Sequence, residues 1–222
     1  MPIGVIIGIS SSSLIFFILS LVFSIFNYKK RFALKYDLRN HFPYELNYKS
    51  RFKDNLIGNL CLVMAMILSL SAFACCSPHV ARFNIIIAPI IAGSLYSLVV
   101  IFVFFADIKY LYFHVLVDVL LAGFGFLTPG LLGLMGLFQY QQNQSIPGLV
   151  YLIIGLIVGI FNFALIMNPR FSFNIKMRVV KLDSGEEQIE RPKIIVMAFS
   201  EWMMIFSLFI SHILLILILF IL

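Results

Sequence analysis

The sequence predicts an all-α integral membrane protein, a six-span transmembrane helical bundle forming a single membrane domain over residues 1–222. Three observations carry that expectation. Apolar residues make up 62% of the chain and charged residues 12%, whereas a soluble domain carries about half apolar and about a quarter charged. Six apolar stretches approach or exceed the roughly 20 residues that a helix needs to cross the hydrocarbon layer. The basic residues, with one exception, fall in alternate loops between those stretches, where cytoplasmic loops concentrate Lys and Arg.

The spans are expected at about 3–26, 56–75, 83–106, 110–138, 148–167 and 195–222. The first resembles a signal peptide only in position. No positive segment precedes it, its apolar run is long, and no small-residue cleavage site follows, so it reads as a retained anchor. The loop 27–54 carries eight Lys and Arg residues, the turn after the third span carries Lys109, and the loop 168–193 carries six more. These three loops hold 15 of the 16 basic residues, and only Arg82 lies on the other side. The bias places these loops in the cytoplasm and both termini outside, in a multi-pass protein of the cell (plasma) membrane.

The net charge of +6 does not indicate nucleic acid, because the charge lies in loops beside apolar spans. The first loop interleaves basic residues with Tyr28, Phe32, Tyr36, Phe42, Tyr44, Tyr48 and Phe52. It reads as an interfacial helix on anionic headgroups, broken by Pro43. In the third basic loop, residues 171–179 alternate apolar and polar, the period of a strand. Asp183-Ser184-Gly185 offers a turn, and 187–190 a return strand. A small cytoplasmic β-ribbon is expected at 171–190, either as a connector or as a docking element for a protein partner. The three cysteines, two of them adjacent (Cys75 and Cys76), form neither a disulfide framework nor a zinc spacing.

Ionisable side chains within lipid-spanning helices are costly and tend to be functional. Asp118 lies eight residues into the fourth apolar run, and His114 precedes it by four, so both share one helix face. Such a pair can bind a divalent metal, relay a proton, or be satisfied as intramembrane glue. Two ligands alone do not make a metal site, and no metal or cofactor is assigned. Glu201 admits two readings. It can sit at the depth of Asp118 and complete a polar site with His114 and Asp118 that opens to the cytoplasm. Alternatively, residues 203–222 span the membrane alone, and Glu201 lies at the interface with Trp202. His212 is expected to be a hydrogen-bonded packing residue.

Pro129 and Gly130 are expected to break the fourth helix, since proline removes a backbone donor and discontinuous helices line transporter sites. Gly155 and Gly159 form a small-residue packing motif for a neighbouring helix, within the chain or across a homo-oligomer. Walker A, Gly-x-Ser-x-Gly and His-Glu-x-x-His motifs are absent, so transport would draw on an ion gradient or a partner's ATPase. The leading functional expectation is therefore a small transporter or permease component without its own ATPase. The alternatives are a non-catalytic accessory or scaffold protein, favoured by few polar residues in the spans, and an intramembrane metal-dependent enzyme. The partners expected are the lipid bilayer and a protein at the cytoplasmic loops, not nucleic acid.

Overall fold

A computed structural model of the chain describes residues 2–32, 34–47, 52–80, 87–107, 110–143, 146–171, 178–181 and 187–221. The architecture is an all-α membrane bundle of six helices: α1 (Ile3–Phe32), α2 (Leu56–Val80), α3 (Ile87–Val103), α4 (Leu111–Asn143), α5 (Ile146–Ile166) and α6 (Val196–Ile221). Five are long and apolar enough to cross a membrane. The third span ends a few residues earlier than expected, and its expected first residues, 83–86, lie outside the described residues. α3 has 17 residues, which reach about 26 Å at about 1.5 Å per residue. Its helix ends at Val103, where Phe104–Asp107 turns back on itself through bonds such as Ala106 N–H to Phe102 C=O at 2.8 Å.

The fourth span is longer than expected. Residues 139–143, read from the sequence as the start of an uncharged loop, continue α4. Gln139 anchors this extra turn, its amide donating to the Ile218 carbonyl at 3.3 Å. α5 begins almost at once, with Pro147 in its first turn, where a missing N–H breaks no helical bond.

Sequential helices run antiparallel, and α6 returns to lie parallel to α4. Asn162 meets Gly125 and Gly155 meets Pro129 between α5 and α4, while Gln139 meets Ile218 and His114 meets Glu201 between α4 and α6. One end of the bundle therefore collects, among the described residues, 34–47 and 52–55 after α1, 104–107 after α3 and 167–171 after α5. α6 is the most enclosed of the five long helices and α5 the most peripheral.

α1 turns its small polar residues inward and much of its large apolar surface outward. On α1, Ser10, Ser13, Ser20 and Ser24 are buried while Ile15, Ile18, Val22 and Phe26 are exposed. Ser13 donates to the Ala65 carbonyl and Ser20 to the Gly58 carbonyl, both at 2.8 Å. This is how helices associate where the solvent is itself apolar, since close approach and interhelical hydrogen bonds replace hydrophobic exclusion.

Pro129 does not break α4, contrary to expectation. The helix is continuous through it. A proline at 129 leaves the Gly125 carbonyl, four residues earlier, without its helical donor. The Asn162 side chain of α5 supplies one at 2.6 Å, and Ser207 of α6 donates to Asn162 Oδ1 at 3.1 Å. The defect is repaired across the helix interface, not left open as a cavity. Gly130 instead lines a shallow apolar hollow of about 280 Å³ with Phe126, Leu127, Gly155 and Gly159. Gly155 and Gly159 pack on α4 within the chain. A Cβ at Gly155 would collide with the Pro129 carbonyl and come within 2.9 Å of the Gly133 Cα.

In the last loop, β1 (Arg178–Lys181) and β2 (Glu187–Glu190) pair antiparallel, Arg178 opposite Glu190 and Lys181 opposite Glu187. The earlier part of the expected strand, 172–177, and the expected turn at 183–185 lie outside the described residues.

Candidate functional site

His114 stands in the first turn of α4, and Asp118 follows one turn later on the same face. Glu201 projects from the early part of α6, which crosses there. The structure brings the three together. His114 Nε2 is 3.5 Å from Asp118 Oδ2 and 3.6 Å from Glu201 Oε1. One ligand atom from each residue lies within 4.8 Å of the others. All three side chains are buried, Glu201 at 1% exposure and Asp118 at 5%. Glu201 therefore faces the protein interior, as does its neighbour Trp202. Trp202 is fully buried, and its indole N–H donates to the His41 carbonyl at 2.9 Å.

The tautomer of His114 follows from its other nitrogen. Nδ1 lies 2.8 Å from the Ala106 carbonyl, an acceptor only, so Nδ1 carries a proton. In the neutral ring, Nε2 then presents its lone pair toward the two carboxylates. Neither carboxylate accepts a hydrogen bond among the described residues. Two ionised carboxylates at about 4.8 Å would repel by roughly 3–4 kcal/mol even at an effective dielectric of about 20. Buried carboxylates of one sign are either neutralised by protons or balanced by a counter-charge.

The loop after α1 closes over this cluster. Residues Pro43–Asn47 form a single 3-10 turn, and Phe42 and Tyr44 pack edge-on against the His114 ring, with centroids at 5.9 and 5.5 Å. The loop was expected to lie on headgroups, yet Tyr36, Phe42, Tyr44 and Leu46 are buried in protein. Tyr36, Phe42 and Tyr44, which resemble an interfacial belt in composition, face the protein interior and cover the cluster instead. Tyr36 Oη donates to the Phe42 carbonyl at 2.8 Å, and Ile195 N–H to the Arg39 carbonyl at 2.8 Å. Arg191 Nη1 donates to both Glu45 carboxylate oxygens at 2.9 Å. Burial pushes the Glu45 carboxyl above the ordinary carboxylate range, and the Arg191 guanidinium draws it partly back.

The sequence pointed to His114 and Asp118 through their spacing, and to Glu201 through the rarity of charge in the spans. It missed the Ala106 carbonyl, the Phe42–Tyr44 cover and the Arg191–Glu45 pair. No local pattern marks a backbone carbonyl as an orienting partner, or matches residues 146 positions apart.

His212 occupies a different site. Its Nε2 lies 2.6 Å from Ser69 Oγ, which lies 2.6 Å from Ser97 Oγ, and Ser97 donates to the Gly93 carbonyl at 2.8 Å. Ser10 Oγ is 3.4 Å from His212 Nδ1. As the sequence implies, His212 is a hydrogen-bonded packing residue.

Comparison with family models, with curated proteins and with solved structures finds no match for this chain, so its functional reading rests on the site itself.

Proposed function

We propose that this chain is a small cation-coupled transporter or permease component, without its own ATPase, whose ion-handling centre is His114, Asp118 and Glu201. The observation that supports this reading is the convergence on one imidazole, between α4 and α6, of two buried carboxylates that accept no hydrogen bond among the described residues. A purely structural polar contact is satisfied by its own neighbours. A group that must bind and release a cation keeps capacity in reserve, and intramembrane carboxylates and histidines recur in proton relays and ion pathways.

The basic loops lie at the end of the bundle that holds the cluster. With positive residues inside, that end faces the cytoplasm, both termini lie outside, and the plasma membrane is the location. The centre then loads from the cytoplasmic side, under the Phe42–Tyr44 lid. A protein partner that energises transport would meet the basic loops, and self-association remains open to the lipid-facing surface of α5.

The reading is tested in proteoliposomes carrying the purified full-length chain, with dyes for protons and for mono- and divalent cations inside. Cation flux down an imposed gradient, reduced at least about 100-fold in Asp118→Asn, is the expected result. Equal, leak-level flux for every cation in wild type and Asp118→Asn would remove the transport reading. A stoichiometric protein retained through purification would then favour the accessory role.

A further inference from the structure

We infer that the His114–Asp118–Glu201 cluster is a site for a divalent first-row transition metal, of the Mn²⁺ to Zn²⁺ class. The assignment rests on the reading of the cluster as a cation centre and specifies the cation.

The argument begins with the donor set. One imidazole nitrogen and two carboxylates form a mixed N/O set. Soft Cu(I) favours thiolate and thioether ligands, whereas Mg²⁺ and Ca²⁺ favour oxygen alone. The three cysteines are separate from the cluster on α2, at positions 61, 75 and 76. Charge arithmetic points the same way. Two carboxylates and a neutral imidazole carry −2, so one dication makes the buried cluster neutral, and a monovalent ion does not.

The spacing supports a shared ion more than a shared proton. At 3.5 and 3.6 Å, the contacts of His114 Nε2 with Asp118 and Glu201 are longer than the hydrogen bonds a protonated carboxyl would make. Ligand atoms about 2.0–2.2 Å from one ion stand about 3.0–3.5 Å from each other in tetrahedral or octahedral arrangements. The two His114 contacts are therefore close to ligand spacing, and the two carboxylates, within 4.8 Å of each other, have to move together to share one ion. His114 is also prepared in the manner of metal-binding histidines. Its Nδ1–H is committed to a backbone carbonyl at 2.8 Å, which fixes the ring and directs Nε2 to the metal. Both carboxylates are more than nine-tenths buried and aimed into the cluster with no hydrogen bond accepted among the described residues. Three protein ligands leave a fourth position for water or an entering ligand.

The test uses the full-length, tag-free protein in mild detergent, exposed to Co²⁺, Mn²⁺ or Zn²⁺, desalted and analysed for metal. Co²⁺ adds an optical signature of its ligands. One dication per chain is expected, with a Co²⁺ spectrum of nitrogen and oxygen ligands. Binding should be lost in Asp118→Asn and in Glu201→Gln but kept in a variant with Cys61, Cys75 and Cys76 changed to Ser. The wild-type titration stands even if a variant fails to fold. No metal retained by monodisperse wild type would overturn the site, as would a thiolate spectrum or undiminished binding in a folded Asp118→Asn protein. Metal-independent proton flux without retained metal would overturn this inference and leave the transport reading intact. Stoichiometric metal without flux would support the site and remove the transport reading.

Discussion

The bundle contains two buried histidines, and their surroundings differ in one respect that separates structure from chemistry. Around His212 the hydrogen bonds form a chain with a consistent direction. Ser97 gives its proton to Gly93, so it accepts from Ser69, which in turn accepts from His212 Nε2. Nδ1 is then the acceptor and faces the Ser10 hydroxyl. Each donor meets an acceptor, and four helices are tied together by neutral groups. Around His114 the acceptors outnumber the donors. The ring gives one proton to Ala106, and its other nitrogen faces two carboxylates that receive none from the described residues. A satisfied network makes a core rigid, whereas one short of positive charge invites a ligand. The same residue type, equally buried, thus serves as glue in one place and as a candidate ligand in the other.

The widest separation between the two regions should come from replacing each histidine by Leu. His212→Leu orphans the hydroxyls around it, and each buried unsatisfied group costs about 1–3 kcal/mol. Thermal unfolding in detergent should fall sharply, while the flux per folded molecule stays unchanged. His114→Leu should do the opposite, abolishing flux with a smaller change in unfolding temperature. Identical responses from the two variants would erase the distinction.

A second prediction concerns the repaired proline. Asn162→Ala removes the donor that α5 supplies to the Gly125 carbonyl in the interior, so a loss of about 1–3 kcal/mol is expected. Restoring the helical donor by Pro129→Ala should recover most of it. A double variant no more stable than Asn162→Ala alone would show that the amide acts otherwise.

The smallest effect should come from the latch over the cluster. Glu45 has its carboxyl raised above the ordinary value of 4.5, chiefly by burial. The folded state therefore holds that proton more tightly than the unfolded state. Its contribution is fully present below 4.5 and declines as pH rises through the shifted value. Glu45→Gln should flatten this part of the stability profile, measured as unfolding temperature against pH. An unchanged profile would assign the pH dependence to other groups.

Much of the fold was legible because lipid enforces it. A chain with long apolar runs must satisfy its backbone inside helices, so α1, α2, α5 and α6 appear close to where hydropathy puts them. Their ends are less legible. Gln139–Asn143 looks like a polar loop until Ile218 supplies an acceptor, and Pro129 looks like a break until Asn162 supplies a donor. The loop aromatics show the same limit. Tyr36, Phe42 and Tyr44 have the composition of an interfacial belt, but composition does not say whether a ring meets headgroups or another helix.

By itself the sequence determined the class of protein, its apolar runs and the alternation of basic segments between them, since hydropathy and charge are properties of short segments. It also singled out His114 and Asp118, because four residues along a helix is a fixed distance. Only the tertiary structure decided that Glu201 joins them, that Ala106 sets the imidazole tautomer and that Phe42 and Tyr44 close the site. Those facts depend on α4 and α6 running side by side and on a loop folding back beneath them. Contacts between residues far apart in the chain follow from the packing of whole helices, which no local spacing records.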